Sequence, residues 1–148
     1  KLVRFNRPAG PTGPGTDRPE TFDFLGFTHY WGLSRKKKWI VRRKTGSKRF
    51  GRALLAVADW CRRHRHLPLR EQWVALQRKL LGHYSYYGIT GNSYALGRFF
   101  YEVRRAWQKW LNRRSRGHVM PWEKFALLLR RYPLPPPRVV HSAYAANL

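Results

Sequence analysis

"LLGHYSYYGITGN", Leu80 to Asn92, sets three tyrosines and a histidine in five consecutive residues and brackets them with glycines. Upstream, Trp73, Leu76 and Leu80 recur at helical spacing, and Tyr84 and Tyr87 continue that line. The spacing predicts a helix that carries Tyr84 and Tyr87 into a core. Lys79, His83 and Tyr86 fall at i, i+4 and i+7 on a second line, rotated away from the first. That second line is expected to face outward, with Gly82 leaving the backbone accessible. Gly88 suits the helix stop, and Asn92 or Ser93 suits the next N-cap.

The same period runs outward in both directions. Before this helix, Phe50, Leu54, Val57 and Cys61 form a stripe, with Lys48, Arg49, Arg52 and Arg62 largely off it. Pro68 divides the two helices and stands near the second one's start. After it, Leu96, Phe99, Phe100, Val103, Trp107, Trp110 and Leu111 make a third helix that fades around Gly117. Pro121 opens a short fourth with Trp122, Phe125, Leu128 and Leu129. "YPLPPPRVV" cannot continue a helix and is expected to lie extended across the bundle.

The N-terminal third has a different character. "KLVRF" reads as a strand, and the Pro/Gly-rich residues Asn6 to Arg18 as a loop. In "TFDFLGF", Phe22 and Phe24 alternate around Asp23, as in a half-buried strand. "THYWG" and "KKWIVRR" flank "LSRK" as a β-hairpin. The expected fold is therefore mainly α with a small β part: an N-terminal strand and hairpin appendage, then a three- to four-helix bundle. The expected boundaries are residues 1–46 for the β part, 47–132 for the helices and 133–148 for a Pro-rich extension. The chain begins at Lys1, inside an apparent strand, so a segment of a longer protein is expected.

Charge sets the function class. The 148 residues carry 31 Lys+Arg against 7 Asp+Glu, a net +24. Self-repulsion makes that excess costly, and a polyanionic partner is the usual reason to keep it. No apolar run approaches the ~20 residues that span a bilayer, so nucleic acid is expected and membrane is not. The single cysteine, Cys61, allows no internal disulfide and fits a reducing cytoplasm.

Candidate contacts follow from the outward faces. Besides Lys79, His83 and Tyr86, the third helix lines up Arg98, Tyr101, Arg105 and Asn112, with Arg104 and Lys109 beside them. A ring beside a cation on an exposed face suits an RNA backbone and an unstacked base. The plainer alternative is a solvated basic face whose tyrosines cover the core edge. The hairpin adds Arg35, Lys36, Lys37, Lys38, Arg42, Arg43 and Lys44. These either contact nucleic acid, or protect a sheet edge from aggregation, or both.

Catalytic signatures are weak. The acids Asp17, Glu20, Asp23, Asp59, Glu71, Glu102 and Glu123 are never adjacent, and no set of them reads as a two-metal site. "CRRHRH", Cys61 to His66, has C-x2-H-x-H spacing, but Cys61 continues an apolar stripe and the histidines sit at a helix end. A structural role is expected for all three. No phosphate-cradling glycine motif is present. No metal, cofactor or small-molecule substrate is expected for this chain.

The order of pieces has a counterpart. "TFDFLGFTHY", a basic hairpin, "KRF", a helix, "GHYSYYGITGN" and "RRAWQKWLNRRS" together resemble the C-terminal part of bacterial group II intron reverse transcriptase/maturases. The similarity runs from about Glu20 to His141. "FLGF" is a weak signal, whereas Gly82 to Asn92 with the following helix is fairly specific. The resemblance implies that Phe22 to Phe27 closes the palm at its primer grip, with Phe24, Leu25 and Gly26 at its centre. It implies that the helices form the maturase-specific thumb, or domain X, which binds intron RNA and clamps template and primer. The family's polymerase centre lies in the palm, with a Tyr-x-Asp-Asp motif and a further Asp, and uses Mg2+, as the intron RNA also does. Neither element lies in this sequence, so no chemistry is expected from it alone. The resemblance implies a bacterial cytoplasmic location, with the nucleoid or ribonucleoprotein.

Three functions stay open on sequence. The chain is an RNA-binding maturase module, or it works only as part of a complete RNA-directed DNA polymerase, or it is a general basic nucleic-acid binder.

Overall fold

The computed structural model describes residues 4–9, 20–114, 116–117 and 119–142. The fold is mainly helical, with a small three-stranded antiparallel sheet at the N-terminus. The chain divides into two compact units, Lys1–Arg49 and Phe50–Leu148.

The sheet has strands β1 (Phe22–Phe24), β2 (Phe27–Leu33) and β3 (Trp39–Thr45), in that spatial order. "TFDFLGF" is not one strand. Leu25 and Gly26 both have positive φ, 53° and 87°, and turn the chain so that Phe24 pairs with Phe27. Two such residues are what a tight two-residue hairpin needs. The second hairpin turns at Ser34 to Lys37, where the Lys37 amide donates to the Ser34 carbonyl at 2.9 Å. Lys1 to Val3, and most of the Pro/Gly-rich loop, lie outside the described residues; Arg4 and Phe5 are not strand.

Pleating sorts the sheet into two faces. The registers Phe22↔His29, Phe24↔Phe27, His29↔Arg43 and Trp31↔Val41 place Phe22, Phe24, Phe27, His29, Trp31 and Val41 on one side. Phe5 covers part of this side, stacked on Trp31 at 5.0 Å and edge-on to Phe22 at 4.8 Å. Asp23, Thr28, Tyr30, Arg42 and Lys44 occupy the other side.

Four helices follow: α1 (Ser47–Arg63), α2 (Leu69–Tyr87), α3 (Ser93–Leu111) and α4 (Trp122–Arg131). Their apolar stripes meet in one core. Val57 and Cys61 of α1 join Leu76, Leu80 and Tyr84 of α2, Leu96, Phe99, Val103, Trp107 and Leu111 of α3, and Phe125 of α4. Each such large side chain contributes roughly 1.5–3 kcal/mol by leaving water, which lets the helices pack despite their charge. Pro68 and Pro121 stand at the N-caps of α2 and α4. α3 ends at Leu111, before Gly117, in a tightened turn in which the Arg113 and Arg114 amides donate to the Trp110 and Leu111 carbonyls at 3.1 and 3.2 Å, while the Asn112 side chain accepts from the Met120 amide at 2.5 Å.

The Pro-rich segment is extended and fastened to α2 by the opening motif. The Tyr84 hydroxyl donates to the Pro135 carbonyl at 2.9 Å, and Trp73 Nε1 to that of Pro133 at 2.7 Å. Leu134 is buried between these anchors. The Gly88 carbonyl accepts from the amides of Val140 and His141 at 2.7 and 2.8 Å. Gly88 therefore does more than stop α2. A methyl there would sit 2.8 Å from the Arg138 carbonyl and clash with the Tyr84 carbonyl as well. Desolvation of the buried Tyr84 hydroxyl raises its pKa, so it stays a donor.

Candidate nucleic-acid interface

α3 presents its cations in a line because seven and eleven residues are nearly whole turns. Arg98 lies 4.9 Å from the centre of the Phe50 ring and 6.0 Å from that of Tyr94. Two turns further, Arg105 lies 5.8 Å from the Tyr101 ring and pairs with Glu102 at 3.5 Å. Tyr101 is itself 53% exposed. Lys109 stands over Trp110 at 5.1 Å. A cation resting on a ring is partly ordered before any ligand arrives, at a gain of about 0.5–1 kcal/mol.

Arg105 and Lys109 also edge an open groove of about 880 Å3 between α1 and α3. Leu54, Leu55 and Ala58 line one side, and Ala106 and Trp110 the other. Glu102, paired with Arg105, also lines the groove, but with Lys109 and Arg113 the edge stays net cationic. Apolar walls with such an edge suit a strand whose bases stack inside and whose phosphates stay at the rim. Arg98 and Tyr101 continue the same helix face.

α2 contributes less than its sequence suggests. Lys79 is exposed, 5.4 Å from the Trp60 ring of α1. Tyr86 is 51% exposed and meets Tyr87 edge-on at 4.7 Å. His83, expected on their line, points inward instead. It is 8% exposed and stacks on Phe99 with centroids 3.7 Å apart. Its buried Nε2 has no hydrogen-bond partner, and desolvation pushes its pKa down to about 4. An imidazole in this state is neutral at physiological pH and offers RNA no charge. The reason is positional: His83 is seven residues from Leu76 and three from Leu80, so it belongs to the core stripe.

Two other residues of the α3 set are half-buried and already engaged. Arg104 packs between the rings of Phe100 at 5.3 Å and Trp122 at 5.2 Å, tying α3 to α4. Asn112 is taken by the Met120 amide.

The hairpin cations divide by location. Arg35, Lys36, Lys37 and Lys38 are exposed at the turn, with Lys37 at a positive φ of 56°. Arg42 and Lys44 share the polar sheet face. Arg42 donates to the Leu33 carbonyl at 2.7 Å, and Lys44 stands 5.1 Å from the Tyr30 ring. Arg43 is on the opposite, aromatic face, across from His29. The three consecutive cations therefore do not form one surface. Phe24, Leu25 and Gly26 form the tight β1–β2 turn, where Phe24 and Leu25 are exposed.

In the C-x2-H-x-H stretch, Cys61 and His64 are packed into the helical unit. Cys61 is fully buried, and desolvation pushes its thiol up to about 12. His64 stacks on Trp60 at 4.6 Å with Nδ1 2.9 Å from the Trp60 carbonyl. Among the described residues, no group of three or more His, Cys, Asp or Glu is placed to hold a metal. Asp59 binds Arg62 and Arg63 at 2.9 and 2.7 Å, and the Arg62 hydrogen bond is the main reason its pKa is lowered.

Sequence reasoning missed Trp60 and Trp110 as platforms for cations, and it missed Gln72. That side chain is buried at the centre of the helical unit. Its amide donates to the carbonyls of Arg65 and Leu67 at 3.1 and 2.8 Å, and its oxygen accepts from Trp107 Nε1 at 3.0 Å. The available signal was its spacing, four residues before Leu76 on the core stripe.

No helix among the described residues is long and apolar enough to cross a membrane. No family model matches the chain, and no curated protein or solved structure is similar enough to be matched.

Proposed function

We propose that this chain is the RNA-binding thumb of a group II intron reverse transcriptase/maturase, with part of the adjoining primer-grip region. It binds structured intron RNA, steadies the splicing-competent fold, and performs no chemistry itself. In a complete protein it would also clamp template and primer while a separate palm holds Mg2+. Its setting would be the bacterial cytoplasm, in a ribonucleoprotein. The carrying observation is the groove between α1 and α3, with Leu54, Leu55 and Trp110 inside and Arg105 and Lys109 at its edge. The resemblance of Gly82 to Asn92 and the α3 sequence to that family supplies the identity of the RNA.

A net charge of +24 by itself favours a second reading, a general basic nucleic-acid binder. Competition binding separates the two. The thumb reading expects intron RNA to outcompete random RNA of equal length. It also expects the affinity to fall between about 50 and 200 mM salt by roughly 0.7–0.9 log units per log unit of salt for each phosphate contacted. Equal affinity for both RNAs would establish the general binder. Salt-insensitive binding would overturn both.

A further inference from the structure

A second, smaller pocket of about 510 Å3 opens where the α1–α2 connection meets the end of α3. Arg65 and His66 of the connection face Arg113, Arg114 and Arg116 of the segment after α3, and among the described residues no carboxylate lines it. Cations often gather at a helix C-terminus to offset its dipole, but that end carries only about half a negative charge. Four guanidiniums exceed this several-fold, so the pocket is a site of uncompensated positive charge.

The walls are fixed without a ligand. The Gln72 amide ties the carbonyls of Arg65 and Leu67 to Trp107 of α3, which secures the connection. On the other side, Asn112 accepts from the Met120 amide, and Gln108 Nε2 donates to the Met120 carbonyl at 3.2 Å. Arg65 and Arg113 both stand over the Trp110 ring, at 5.9 and 5.2 Å. Arg65 Nε is buried and has no hydrogen-bond partner. Asn112 and Arg113 line both this pocket and the α1–α3 groove, so the two adjoin.

We propose that this pocket seats one phosphate of the RNA strand that occupies the groove. The guanidiniums of Arg113 and Arg114 supply forked donors that match phosphate oxygens, and Arg65, whose Nη1 already donates to the Arg62 carbonyl at 2.6 Å, adds a third fixed cation beside them. Gln72 is a positioning residue that holds Arg65 in place. The proposal rests on the RNA-binding reading above, and adds to it a fixed point that sets where the strand lies.

The test compares two charge-matched variants of the full chain on a labelled group II intron RNA. Arg113→Gln/Arg114→Gln removes two pocket cations, and Lys124→Gln/Arg130→Gln removes two exposed cations of α4. Circular dichroism first establishes that both fold. The pocket variant is expected to lower the log–log salt slope by about 1, while the α4 variant stays within about twofold of wild-type affinity. In phosphate-ethylation interference, one discrete position should block wild-type binding and cease to matter in the pocket variant. Arg113→Lys, which keeps charge but loses the fork, should fall between. Equal weakening by the two double variants, with an unchanged interference pattern, would overturn the pocket and leave the thumb reading intact. Failure of the wild-type chain to bind RNA would overturn both.

Discussion

Arg98, Arg105 and Lys109 on α3 reinforce one another, whereas Arg42, Arg43 and Lys44 on β3 do not. The helix returns to the same face after seven and eleven residues, so cations far apart in sequence share one surface. The strand alternates, so three consecutive cations split between an aromatic and a polar side. The helical cations rest on rings of Phe50, Tyr101 and Trp110, while those at the hairpin turn extend into solvent. Ordered charge favours discrimination between partners, and loose charge favours attraction to any polyanion.

The largest expected effect tests that division directly. Replacing Arg98, Arg105 and Lys109 by Gln should reduce the salt slope for intron RNA by about 2–3 and erase the preference over random RNA. Replacing Arg35, Lys36 and Lys38, exposed at the hairpin turn, by Gln should weaken both RNAs alike and keep the preference. Indistinguishable triple variants in a competition assay would break the comparison.

The next effect concerns stability of the helical unit. Unfolded, the His83 imidazole takes its proton near pH 6.5; folded, it does so only near about 4. Between those values unfolding takes up a proton, so stability is full above pH 6.5 and falls as pH drops. The slope approaches about 1.4 kcal/mol per pH unit. Urea melts of the wild type from pH 7 to 4.5 should show it, and His83→Phe should flatten it. An equal slope in the variant would contradict the buried, neutral imidazole.

Gln72→Ala should cost roughly 1–3 kcal/mol, because Trp107 Nε1 loses its acceptor and two loop carbonyls lose their donor. A change near zero in the urea midpoint would mean that the loop is not held from below.

The smallest effect belongs to the hairpin. Lys37 sits at positive φ, which costs a non-glycine residue about 1–2 kcal/mol. Lys37→Gly relieves that strain but adds entropy to the unfolded chain, so it should raise stability by no more than about 1 kcal/mol and lower the salt slope by about 1. Weaker folding would show that the lysine side chain holds the turn.

The four helices and their core were legible in the sequence because the apolar spacing is regular from Phe50 to Leu129. His83 and Gln72 were misread or missed for one shared reason: each is a polar residue on the core stripe of α2, with Leu76 and Leu80. Gln72 lies four residues before Leu76 on that stripe, while His83 fits two lines, three residues after Leu80 and four after Lys79, and its polarity favoured the outward one. The β1–β2 turn was hidden because Leu25 adopts a left-handed conformation that only Gly26 advertises. The basic pocket could not be read at all, since Arg65 and Arg113 are distant in sequence and meet only through the packing of the bundle.

The central claim is that the α3 face assists intron folding, and splicing at low magnesium tests it most directly. Added to its cognate intron, the wild-type chain should restore splicing, and Arg98→Gln/Arg105→Gln/Lys109→Gln should not. Restoration by neither chain, or equally by both, would contradict it.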